Sequence, residues 1–204
     1  MSERPIQIML INMNQQSTLT HTLLQTSMAD ILLIQELWIG TVKTAQSDSD
    51  PLGMAVHSPT NNNMWECYLP TFTNPDSVRV AIFVRHDLAH TFAITNLTSH
   101  PASSLESMVL DFAFEDEILC IVNVYHRMHN DSHHNLLHLF TSHFDPLIPM
   151  LLMGNFNTHS HIWSFPHSTI SPWATELVDW FDDQGLKLLN PLRIAMWSSG
   201  RADQ

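Results

Sequence analysis

The chain has 204 residues, 44% of them hydrophobic and 14% charged, with five glycines. That composition excludes a disordered or fibrous protein and suits one domain with a substantial core. Eight Lys and Arg against twenty Asp and Glu give a net charge of −12. This excludes the concentrated basic patch that ordinarily holds nucleic acid through its phosphates, and Arg79, Arg85, Arg127, Arg193 and Arg201 are dispersed.

The chain begins MSERPIQIMLIN. Its apolar run of about six residues is too short for a signal-peptide core or a membrane span, so a soluble, intracellular protein with no membrane partner is expected. Residues 5–12 read as a buried strand. Ser17 then caps a helix, STLTHTLLQTSM, with Leu19, Leu23, Leu24 and Met28 on one side. DILLIQE (30–36) is a second apolar strand ending on Glu36. The order strand, helix, strand predicts a parallel pair. Residues 40–63, rich in Asp, Ser, Asn and Pro, read as a long loop. WECYLP, VRVAIFVR, FAITNLT, MVLDFAF and EILCIVNVY follow as short strands. A helix over 131–143 presents Leu136, Leu137 and Phe140, and PLIPMLLMGNFN is a further buried strand. WATELVDWFDDQ (173–184) predicts a helix and LKLLN (186–190) a final strand. The expected fold is α/β, with two facing mixed sheets covered by helices.

Four strand ends carry polar groups: Asn12 and Asn14, Glu36, Asn123 with Tyr125, and Asn155 with Asn157. Sheets of this kind bind ligands at one rim. A carboxylate ending an apolar strand is costly unless it has a partner. A hard cation such as Mg2+ is one such partner, and exposure to solvent is the bland alternative. Asn at a strand end also serves as a turn cap. Cys67 and Cys120 both lie in predicted strands and read as buried thiols. Among the fourteen histidines, His134 with His138 and His129 with His133 are four apart, and His159 and His161 alternate in a loop. Such spacings can hold zinc, but without an HExxH or cysteine cluster a polar surface face is the simpler reading. Trp163, Trp173 and Trp180 are expected to fill core and loop contacts, not to stack on bases.

Taken in order, LINMNQQSTL, DILLIQELW, RVAIFV, IVNVY and MGNFNTHSHIW resemble the endonuclease/exonuclease/phosphatase superfamily, and in particular the endonuclease domain of LINE-type (non-LTR) retrotransposons. The resemblance implies a DNase I-like α/β sandwich and a metal-assisted phosphodiesterase acting on DNA, with Mg2+ or Mn2+. Asn12 and Glu36, with Asn14 nearby, would hold the metal. Tyr125 would sit by the scissile phosphate and Asn157 would bond the phosphate or the attacking water. Position 155 would orient or deprotonate that water, and His159 would lie at the pocket edge.

Two departures from the family pattern stand out. Asn155 occupies the place of an Asp in G-D-F-N. An amide has no basicity near neutral pH, and losing a general base costs about 10²–10⁴-fold in rate. No Ser-Asp-His, the family's last motif, occurs. Residues 1–204 are therefore expected to form a single domain of this type, C-terminally incomplete and impaired in turnover. The alternatives are an inactive transposon-derived remnant or binding module, and a phosphatase-type cousin acting on a small phosphate ester.

Overall fold

The computed structural model describes residues 4–43, 55–60, 62–71, 74, 77–96, 106–114, 117–126, 137–138, 140–141, 144–145, 147–164 and 169–189. Its contacts fall into two units, Met1–His126 with His143–Asn155, and Arg127–Ser142 with Phe156–Gln204.

The first unit holds the sheets. Strand β1 (Ile8–Asn12), helix α1 (Ser17–Thr26) and strand β2 (Ile31–Gln35) form the predicted unit, and β1 and β2 pair in parallel from Ile8 opposite Ile31 to Asn12 opposite Gln35. Two antiparallel strands, β6 (Val80–Arg85) and β5 (Trp65–Tyr68), complete a sheet of order β1-β2-β6-β5. The second sheet has the order β10-β9-β8-β7, from β7 (Ala93–Asn96), β8 (Ser107–Phe114), β9 (Glu117–Tyr125) and β10 (Met150–Asn155). Only its β9–β10 pair is parallel.

Strand β2 is buried on both faces, which explains its unbroken apolar run. Ile31 and Leu33 point into a core shared with Val80, Ile82, Met108, Leu110 and Ile121, so the two sheets face each other there. Leu32 and Ile34 point the other way, into a cluster with Met13, Leu24, Trp65 and Phe83 that includes helix α1.

Some expectations change. Gln16, not Ser17, is the N-cap of α1, and it makes no side-chain capping bond. The buried stripe of the helix runs through Thr20 and Leu24, with Leu23 partly buried; Leu19 is exposed and Met28, beyond the helix end, is 77% exposed. The Trp65 indole N–H instead ties the helix end to the sheet through the Leu24 carbonyl, at 2.8 Å. Residues 40–63 are not one loop: β3 (Ile39–Lys43) and β4 (Ala55–Pro59) form a separate antiparallel ribbon. A short helix, α2 (His86–Ala89), follows β6.

In the second unit, helix α3 (Pro172–Asp183) starts with Pro at its first turn and ends before Gly185, whose φ of +66° suits a helix stop. Trp173, Ala174, Leu177 and Trp180 form its buried stripe. Residues 137, 138, 140 and 141 are helical, and the rest of the predicted 131–143 helix lies largely outside the described residues. Phe140 packs on Trp180, and Phe156 on Trp173 and Phe181. The predicted strand LKLLN is absent over 186–189, where Leu189 is 78% exposed. An apolar run makes a strand only where an edge is offered to it, and among the described residues none pairs with this one.

Candidate functional site

The ends of β1 and β2 lie side by side, because the parallel register sets Asn12 opposite Gln35. Alternation along β2 sends residues 31, 33 and 35 toward the second sheet and 32 and 34 toward the helix. A continued strand would send Glu36 to the helix side. It does not continue: Glu36 has φ +48°. This left-handed residue redirects the side chain, and its carboxylate accepts a hydrogen bond from the Tyr125 hydroxyl. Asn14 and Gln15 opposite have φ +47° and +57°. Such conformations are costly for residues with a Cβ, and they collect at functional sites.

Hydrogen bonds hold these turns in place. The Glu36 N–H donates to the Arg79 carbonyl at 2.7 Å, and the Glu36 carbonyl accepts from the Gln15 N–H at 2.8 Å. The Asn12 side-chain oxygen accepts from the Asn14 N–H at 2.8 Å, an Asx-type turn.

On the second sheet, Asn155 is the register partner of Tyr125. Paired residues of a parallel ladder project from the same face, so both belong to the face on which Tyr125 and Met153 pack against the inter-sheet core. The Asn155 carbonyl accepts from the His126 N–H at 2.9 Å. The glycine of the motif has a steric reason: a Cβ on Gly154 would stand 2.3 Å from the Val124 carbonyl oxygen. Of the predicted residues, Asn12, Asn14, Glu36, Tyr125 and Asn155 thus occupy strand ends of the first unit, and the Tyr125–Glu36 bond joins its two sheets.

Asn123 is a correction. It is fully buried, and its amide donates to the Ile34 and Ala81 carbonyls at 2.9 and 3.0 Å, so it is no rim group. Gln35 was missed as a residue with its own role. It is 2% exposed and donates to the Val124 carbonyl at 2.5 Å. Its signal in the sequence was an amide completing an otherwise apolar strand.

Asn157 and His159 belong to the second unit. Asn157 is half-buried with φ +47°. His159 is exposed; its N–H donates to the Ser171 hydroxyl at 3.1 Å and its ring Nδ1 lies 3.3 Å from the Ser164 hydroxyl. The Trp163 indole donates to the Thr158 carbonyl at 3.0 Å, closing the loop, and the ring packs on Phe181. Trp163 therefore folds the loop, whereas Trp173 and Trp180 fill the buried stripe of α3. His138 and His161 are exposed, while His129, His133 and His134 lie outside the described residues. Among the described residues no three His, Cys, Asp or Glu side chains gather as a metal cluster.

The rim of the first unit carries one carboxylate, Glu36, and the side-chain amides of Asn12 and Asn14, whose oxygens are the atoms a cation would use. That chemistry fits a hard cation that keeps several waters and takes few protein ligands. The Asn12 oxygen, engaged once by a backbone N–H, retains a second lone pair.

Comparison with known proteins agrees with this architecture. Residues 119–203 match the family model described as endonuclease-reverse transcriptase. The endonuclease domain of TRAS1, a telomere-specific non-LTR retrotransposon, superposes with a TM-score of 0.67 at 16% identity, covering 93% of this chain and 75% of that one. The fold is thus a DNase I-like α/β sandwich. The catalytic domain of human Nocturnin matches at TM-score 0.37 and 14% identity, over 76% of this chain and 65% of that one. The inositol polyphosphate 5-phosphatase domain of a synaptojanin matches at 0.37 and 12%, over 87% and 60%. No curated protein sequence matches the chain. Among the described residues, no helix is long and apolar enough to cross a membrane.

Proposed function

We propose that this chain, which resembles the endonuclease domains of non-LTR retrotransposons in fold and, over residues 119–203, in sequence, is a metal-dependent phosphodiesterase domain directed at DNA, with turnover limited by Asn155. The observation that carries the reading is the Glu36 carboxylate, turned by its left-handed backbone onto the Tyr125 hydroxyl beside the end of β1.

In this reading Glu36 and Asn12 hold Mg2+ or Mn2+, with Asn14 close by. When bound, the cation supplies Lewis acidity and neutralises charge on a phosphate. Tyr125 fixes the Glu36 carboxylate and sits by the scissile phosphate. Asn157, as a ligand of the phosphate or the attacking water, and His159, as a pocket-edge residue, enter this reading through the resemblance of MGNFNTHSHIW alone. Asn155 supports the limited rate: its amide orients a water by hydrogen bonding but cannot take its proton. A net charge of −12 leaves the cation and neutral donors to carry the attraction to DNA.

The same Asn155 supports a second reading, in which the domain keeps its fold and binds without turnover. Nicking of supercoiled plasmid in Mg2+ separates the two. Nicking by the parent chain, abolished by chelation and in Glu36→Ala, supports the enzyme. A gain of about 10²–10⁴-fold in Asn155→Asp identifies position 155 as the limiting group. Silence of both parent and Asn155→Asp overturns the catalytic reading.

A further inference from the structure

We infer that Gln35 and Asn123 are positioning residues: a buried amide clamp that sets the sheet-to-sheet register on which the Glu36–Tyr125 contact depends. The inference rests on the proposed site for its purpose, though not for its geometry.

Three successive contacts cross from β2 to β9 with one constant offset of 89 residues. Asn123 Nδ2 donates to the Ile34 carbonyl, Gln35 Nε2 donates to the Val124 carbonyl, and the Tyr125 hydroxyl donates to Glu36. The Asn123 amide also reaches the Ala81 carbonyl on β6, so it grips two strands of the first sheet at once. Around these amides the sheets meet through Ile31, Leu33, Ile82 and Ile121, whose attraction has no direction. Apolar contact alone lets two sheets settle at neighbouring offsets. Directional bonds in a dry interface select one.

Stability alone does not account for the pair. The Asn123 side-chain oxygen is buried without a hydrogen-bond partner, and such an orphan is destabilising. An apolar residue of similar volume would avoid that cost. What the amides add is alignment, immediately beside the two residues that carry the contact.

The test uses 3-fluorotyrosine labelling, since the chain has two tyrosines, Tyr68 and Tyr125. Tyr68→Phe assigns the Tyr125 fluorine resonance, and Glu36→Gln gives its position when the carboxylate is lost. In Gln35→Met and Asn123→Leu, which keep volume and remove the donors, the Tyr125 resonance is expected to leave its parent position while the cooperative urea transition persists. Gln35→Met decides alone if Asn123→Leu does not fold. A Tyr125 resonance unmoved in a folded variant overturns the clamp.

Binding of Mn2+ is measured in parallel by electron paramagnetic resonance. The variants are expected to bind about 10–100-fold more weakly than the parent, as when a group orienting a ligand is removed. A parent that does not bind Mn2+ refutes the cation site and leaves the fluorine result to judge the clamp.

Discussion

The Tyr125 hydroxyl donates to the Glu36 carboxylate, although the two residues lie 89 positions apart and end strands of different sheets. A bond to a charged acceptor is stronger than one between neutral groups, and both partners are half-buried. Removing the hydroxyl in Tyr125→Phe is expected to lower stability by about 1.5 kcal/mol, the low end for a charged partner because water reaches the carboxylate. Urea denaturation measures it, and an unchanged midpoint would show that the contact contributes nothing.

Gly154 and Gly40 make a matched pair for substitution. A Cβ on Gly154 meets the Val124 backbone oxygen at 2.3 Å, while one on Gly40 meets the outer ring atoms of Trp38, nearest at 2.0 Å. Backbone paired within a parallel ladder yields far less readily than a partly exposed indole, which can swing aside. Gly154→Ala is expected to cost about 1–3 kcal/mol, in the range of overpacked sites, and Gly40→Ala less. Thermal unfolding of the two variants would contradict this if their order were reversed.

In the second unit, Trp180 packs on Phe140 and Phe181 and donates to the Thr141 hydroxyl at 2.8 Å. Trp180→Ala removes a large buried ring together with a hydrogen bond, with an expected cost of about 3–5 kcal/mol. Hydrogen exchange across α3 should accelerate accordingly. Protection equal to the parent would mean that the aromatic cluster does not stabilise this helix.

Cys120 is buried in β9, and burial, reinforced by Asp111, pushes its thiol pKa up. A raised pKa keeps the group a neutral thiol at pH 8, and the thiolate is the reactive form. Alkylation of Cys120 in the folded protein at that pH is therefore expected to be slow, and to become fast in urea. Mass spectrometry of the labelled peptide reads this out. Equal rates folded and unfolded would contradict the burial.

How far the sequence could be read depended on the range of the forces involved. EILCIVNVY was legible to the residue as β9, since nine consecutive positions share one extended pattern. DILLIQE was legible because a strand buried on both faces must be apolar throughout. The ribbon β3–β4 was not, because its strands flank a polar stretch and carry little apolar character of their own. LKLLN misled in the opposite direction: apolar side chains do not supply the missing ladder partner.

Local pattern by itself determined the strands of the two four-stranded sheets, the parallel β1–β2 unit and the list of polar residues at strand ends, because burial and alternation act over neighbouring positions. Only the tertiary structure decided which of those residues meet. It took Asn123 from the rim into the core, gave Gln35 a role, and turned Glu36 back onto Tyr125 through a left-handed residue. The physical reason is that a hydrogen bond between groups 89 residues apart leaves no periodicity in the chain. It exists only once two apolar faces have come together and fixed the register at which donor and acceptor lie opposite each other.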